Sequence, residues 1–194
     1  MARPSLKNQR REEILNAFAR CVSRYGLEGA TLEKIAGEAG IARPAVRHFV
    51  GNRDELVEAL VEHVRRDYSA KLDALFAWLP DGGRVRAIVD LLFDPAHFST
   101  SDDTALAQAL TMASRQYPSA GLMCSKWVAS FDDRLAAELR QEFPDAGEDA
   151  VRAVSFGIIS IYFNMDALSA LDLPATMISA AKAGALRLVD SLRT

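Results

Sequence analysis

Arg43 and Arg47 stand four residues apart, with Pro44 and His48 beside them. At about 100° per residue these four share one side of a helix, and Ala42, Ala45, Val46 and Phe49 share the other. Guanidiniums one turn apart suit bidentate hydrogen bonds to phosphates and guanine edges. Pro44 falls in the first turn, where its missing N–H costs no helix bond. The apolar side can pack on a small domain and leave the basic side outward. On its own, an Arg-x-x-x-Arg spacing is more often that of an ordinary solvated face. The neighbouring segments decide between the two.

Residues 31–39 place Leu32, Ile35, Ala36 and Ala39 on one side of a short helix, and a turn through Gly40 follows. Thr31 suits the N-cap, with Glu33 in the first turn. Two short helices joined by a glycine turn form a helix-turn-helix unit, whose second helix can enter a DNA major groove. Before it, residues 10–25 carry Ile14, Leu15, Phe18, Ala19 and Val22 at helical spacing, and Gly26 can end that helix in a left-handed conformation. The three helices need a shared core, which Phe18, Val22, Leu32, Ile35, Val46, Phe49 and Leu56 supply.

In this order the residues resemble the TetR (tetracycline-repressor-like) family of regulators. The resemblance rests on Ile14-Leu15-x-Ala17, Tyr25-Gly26, Thr31, Ile35-Ala36, Glu38-Ala39-Gly40-Ile41-Ala42-Arg43 and Asn52-Arg53-Asp54-Glu55-Leu56. It covers roughly residues 10–60 and is specific as an ensemble. Beyond that, only length and helical character match. The resemblance implies a sequence-specific DNA-binding regulator of transcription, most often a repressor released from a palindromic operator by a small molecule. It implies base or phosphate contacts from Thr31, Arg43, Pro44, Arg47, His48 and Arg53. Three positions depart from the family pattern. Pro44 stands where Gly is usual, Arg47 where a phosphate-binding Tyr is usual, and Phe49-Val50 where His-Phe is frequent. Arg47 either replaces a neutral phosphate contact with a charged one or reaches a base edge.

Charge is unevenly spread. Residues 1–55 hold ten basic and seven acidic side chains, net +3, and the remainder holds thirteen and nineteen, net −6. The overall charge of −3 is therefore compatible with a nucleic-acid partner. Arg3, Lys7, Arg10 and Arg11 form a basic N-terminal stretch, either an arm along phosphates or a minor groove, or a frayed end.

The expected architecture is all-α. A three-helix head (1–51) leads through a linker helix from about residue 52 into an all-helical sensing and dimerisation domain (52–194). Asn52 and Glu55 resemble a capping box. Leu56, Leu60, Val64, Tyr68, Leu72 and Leu75 run down a helix of about 25 residues, roughly 37 Å. Further helices are expected over residues 84–93, from a cap at Ser101-Asp102-Asp103 to Pro118, from about Met123 to Pro144, at about 148–171 and at about 175–192. The 148–171 helix is apolar nearly all round, so it needs cover on both sides. The last helix is rich in small residues: Ala180, Ala181, Ala183, Gly184 and Ala185. Together they predict a two-fold homodimer through a four-helix bundle, with a central core helix of a monomer as the other reading.

Met112, Trp127, Phe131, Tyr162, Asn164 and Met165 are the candidate lining for a small, largely apolar ligand; aromatic and Met stripes at helical spacing are also what an ordinary core requires. Asn164, deep in an apolar helix, would answer to an interface bond, a backbone carbonyl or a ligand.

His48, His63 and His97 show no paired metal spacing, Cys21 and Cys124 are far apart, and phosphate loops, nucleophile elbows and C-x-x-C are lacking. Catalysis, a metal or another cofactor is not expected. The polar N-terminus and the short apolar run 154–165 point to a cytoplasmic protein with no membrane partner. The other function class is a helical ligand- or protein-partner-binding protein with a helix-turn-helix-like head.

Overall fold

The computed structural model describes residues 6–94, 102–171 and 173–193. Among them the elements are helical: α1 (Leu6–Gly29), α2 (Leu32–Ala39), α3 (Arg43–Val50), α4 (Arg53–Trp78), α5 (Arg84–Leu92), α6 (Asp102–Met112), α7 (Pro118–Glu142), α8 (Glu148–Ala167) and α9 (Ala175–Asp190). Short 3₁₀ turns follow α6, α8 and α9. The expected all-α class holds. No described helix is long and apolar enough to cross a membrane.

The chain gathers into two compact units, Met1–Ala70 with Asp102–Lys126, and Lys71–Ser101 with Trp127–Thr194. In the first, α1, α2 and α3 pack on one another, and α6 lies along α1. Its core contains Ile14, Leu15, Phe18, Ile35, Val46, Leu56 and Leu60, each at most 1% exposed. Val50 is the second buried residue of α3; Leu32 and Phe49, expected in the core, are only half-buried. Attachment of α6 to α1 was not anticipated. Ser23 Oγ donates to the Asp102 carbonyl at 2.7 Å, and Tyr68 Oη donates to the Asp103 carbonyl at 3.1 Å.

In the second unit, α8 packs on α9 and α5 on α9. Leu135, Leu139, Val151, Ile158 and Ile159 are fully buried there. At Gly157 α8 and α9 approach closely, since a Cβ there would lie 2.9 Å from Leu188 Cδ1. Gly184, the glycine singled out by composition, has more room, with Ile161 Cδ1 at 3.9 Å. Arg84 closes the end of α4. It donates to Glu138 at 2.6 and 2.8 Å, to the carbonyl of Phe76 in the last turn and to those of Leu79 and Pro80 just beyond the helix.

Several boundaries differ from expectation. α1 begins at Leu6, so Lys7, Arg10 and Arg11 belong to a helix and not to an arm, and Arg10 pairs with Glu13 at 2.7 Å. α6 stops at Met112, and Pro118 opens α7. Gly26 interrupts α1 with φ 69° and ψ 170°, a positive-φ bend outside the left-handed helical region. Arg3, His97 and the Ser101 cap lie outside the described residues.

Candidate nucleic-acid interface

The candidate interface is built by the α2–α3 turn. Thr31 caps α2, its hydroxyl accepting the Lys34 N–H at 3.4 Å. Gly40 follows in the left-handed region (φ 64°, ψ 33°), a conformation a side chain disfavours. α3 then starts from the extended Ala42, with Pro44 in its first turn. Arg43, Pro44, Arg47 and His48 are all exposed, whereas Val46 and Val50 are buried. The helix thus turns one basic face outward, as its spacing predicts. His48 and Phe49 meet edge to face, with ring centres 5.1 Å apart.

The outward residues differ in their neighbours. Arg43 Nη1 lies 2.6 Å from Glu33 Oε1 on α2. Among the described residues Arg47 has no carboxylate partner. Thr31 is exposed, and its hydroxyl can still donate while accepting from Lys34. Arg53 is the exception. Its Nη1 donates to the Ala30 carbonyl at 2.8 Å, its Nη2 donates to the Leu27 carbonyl, and its guanidinium lies 5.2 Å from the centre of the Phe18 ring. These carbonyls follow the bend at Gly26. The structure therefore gives Arg53 the task of closing α1.

Ion pairs brace the head from behind. Glu38 accepts from Arg20 at 2.6 Å and from Arg24 at 3.0 Å, tying α2 to α1. The Arg20 hydrogen bond holds the Glu38 carboxyl below its ordinary pKa despite partial desolvation. Burial pushes the Glu12 carboxyl up, but Arg66 and His63 outweigh it and leave it lowered. At the start of α4 the Glu55 carboxylate accepts the Asn52 N–H at 2.8 Å, and Asn52 Oδ1 accepts the Glu55 N–H at 3.0 Å. That is the expected capping box. Gly51 makes room for it: φ is 83°, and a Cβ there would lie 2.0 Å from Glu55 Oε2.

The sequence profile described as "Bacterial regulatory proteins, tetR family" matches residues 14–60, the segment that builds this face and its supports. Over this segment the chain is similar to the TetR family. It is similar to the HTH-type transcriptional regulator BetI of Burkholderia mallei, 34% identical over 101 residues covering 51% of this chain and 52% of the relative. BetI of Burkholderia lata is 36% identical over the same coverage. The chain's match thus spans about half the length of these relatives. Across nearly the whole chain, the TetR fold recurs in a TetR-family regulator from Cytophaga hutchinsonii, with TM-score 0.77 at 11% identity, covering 98% of each chain. A transcriptional regulator described as putative, from Pseudomonas aeruginosa PAO1, aligns with TM-score 0.75 at 19% identity, covering 95% of this chain and 90% of that one. These likenesses carry the fold.

The six residues expected to line a ligand site are spread over both units. Trp127, Phe131 and Tyr162 join one aromatic cluster in the second unit. The ring not anticipated there is Phe163, 5.4 Å from Trp127 and 5.5 Å from Tyr162. Met165 is buried in the same unit's core. Met112 ends α6 in the first unit and is 84% exposed. Asn164 is exposed on the outer face of α8, so its amide is not buried in the single chain and carries no desolvation penalty there. A cleft of about 230 Å³ does occur in the first unit, but its lining mixes charged and polar residues such as His63, Asp67 and Asp103 with Ala19, Val64 and Leu106, and holds none of the six. It does not match the apolar lining expected of the ligand site.

Proposed function

We propose that this protein is a sequence-specific DNA-binding regulator of transcription that acts as a repressor. One observation carries the reading: α3 exposes Arg43, Pro44, Arg47 and His48 while burying Val46 and Val50. A short helix anchored by its apolar side, with two guanidiniums outward, has the form of a major-groove reader. The similarity to proteins named as transcriptional regulators favours this over a partner-binding helical protein.

In this reading residues 1–51 are the DNA-binding head, and residues 52–194 sense a signal and dimerise, with the helix from 52 as the link. Arg43, Pro44, Arg47 and His48 face the groove, and Thr31 contacts a phosphate. Two copies associate through α8 and α9. Support comes from the outer face of α8, where Ala153, Phe156, Ser160, Asn164 and Ala167 are exposed, and from exposed Ala180 and Ala183 on α9. Phe156 is 59% exposed, an unusual position for a large apolar ring. A two-fold dimer then meets a palindromic operator. A small, largely apolar ligand binds against Trp127, Phe131, Tyr162 and Met165. It releases the operator by favouring a tilt of α4 that mis-spaces the heads. The regulator works in the cytoplasm, where its operator is.

The test is binding of the full-length protein to duplex DNA at stated salt. Joint replacement of Arg43 and Arg47 by Ala should abolish preference for any one duplex while leaving the helical circular-dichroism spectrum intact. Retained preference in that variant would refute the assignment of α3.

A further inference from the structure

We propose that Glu33 is a positioning residue that holds Arg43 for base readout and leaves Arg47 as the phosphate clamp. The proposal rests on the reading of α3 as the DNA-facing helix. Glu33 lies in the first turn of α2, and its Oε1 meets Arg43 Nη1 at 2.6 Å across the turn. The two side chains are 60% and 57% exposed. A pair so exposed adds little to folding. The turn it spans is already held by Gly40 and by burial of Ile35 and Val46. Its distinctive consequence is to restrict a long side chain that otherwise samples many rotamers.

The direction of that restriction matters. A guanidinium offers five N–H donors in a rigid fork. Glu33 occupies the Nη1 end and leaves the Nε–Nη2 edge, whose two parallel donors match O6 and N7 of guanine. A guanidinium that carries a carboxylate is a poor phosphate clamp, because the carboxylate repels the phosphate. Arg47, one turn on and without a carboxylate partner among the described residues, suits that task better. Pre-ordering a rotamer-rich side chain is worth about two- to tenfold in binding, and such support from a neighbouring side chain is what fixes a recognition geometry.

The experiment compares full-length wild type with Glu33→Ala, Glu33→Gln, Arg43→Ala and the Glu33→Ala/Arg43→Ala pair. Dissociation constants are measured on the duplex that wild type selects and on a scrambled duplex of equal length, together with melting temperatures. Glu33→Ala should lower the selected-to-scrambled ratio about two- to tenfold, with no weaker binding to the scrambled duplex and a melting temperature close to that of Glu33→Gln, which loses the same helix-dipole charge. Glu33→Gln, which keeps the accepting oxygen, should lose less. The pair should behave as Arg43→Ala alone. The proposal is overturned if Glu33→Ala leaves the ratio unchanged, if it has the same effect without Arg43, or if Glu33→Gln loses as much of the ratio as Glu33→Ala. Wild type that prefers no duplex would instead sink the DNA reading itself, and this proposal with it.

Discussion

Replacing Arg53 by Ala separates a structural role from a DNA contact. Arg53 spends two donors on the carbonyls of Ala30 and Leu27 and lies 5.2 Å from the centre of the fully buried Phe18 ring. Hydrogen bonds to a charged group are worth about 1.5–3 kcal/mol each, and an exposed cation–π contact about 0.5–1 kcal/mol. Leu27 and Ala30 are themselves buried, so only water entering the space the Arg53 side chain leaves recovers part of the loss. A net destabilisation of the head of about 2–4 kcal/mol follows. The readout is amide hydrogen exchange of the full-length protein resolved by peptide, since two units need not unfold together. Opening that sets exchange in α1 and α2 should become about 30- to 700-fold more frequent, at 1.4 kcal/mol per factor of ten. Arg53→Lys, which keeps the charge but not the fork, should fall between. Unchanged exchange in the head, with DNA affinity lowered and the salt slope reduced by about one per protomer, would refute the reasoning and return Arg53 to the phosphates.

Three further outcomes follow from the geometry. Gly51→Ala forces a side chain to a φ of 83° and into Glu55. It should cost about 1–3 kcal/mol, read as a lower melting temperature; an unchanged value would show that the capping box can move aside. Glu38 has a folded pKa below its ordinary 4.5, so its contribution is present above that value and lost as pH falls through the folded pKa. The melting-temperature gap between wild type and Glu38→Gln should therefore close on going from neutral pH to pH values well below 4.5, and a constant gap would contradict the pairing with Arg20 and Arg24. Phe156→Arg changes an exposed ring on α8, so the helical spectrum should persist while sedimentation reports a monomer. A dimer of undiminished stability would place the interface elsewhere.

What the sequence disclosed depended on how local each interaction was. Thr31, Gly40 and the Asn52–Glu55 pair act within four residues, and their roles follow from residue type and spacing. The outward face of α3 was legible for the same reason. Arg53 was not, because its acceptors lie 23 and 26 residues earlier and are exposed by the bend at Gly26. The fit of α6 against α1 joins Ser23 to Asp102 across 79 residues, and periodicity carries no trace of it. Phe163 and Gly157 escaped notice because one face of α8 cannot be told from another when nearly all are apolar. The exposure of Met112 and Asn164 was illegible on the same grounds: hydrophobic company along the chain does not fix the direction in which a side chain points.

The most direct test of the central claim is selection of bound duplexes from a random DNA library by the purified full-length protein at stated salt. A dimeric reader predicts enrichment of an inverted repeat with half-sites about one helical turn apart or a multiple of it, lost when Arg43 and Arg47 are both Ala. Recovery of unenriched DNA held only by salt-sensitive binding, unchanged in that double variant, would contradict it.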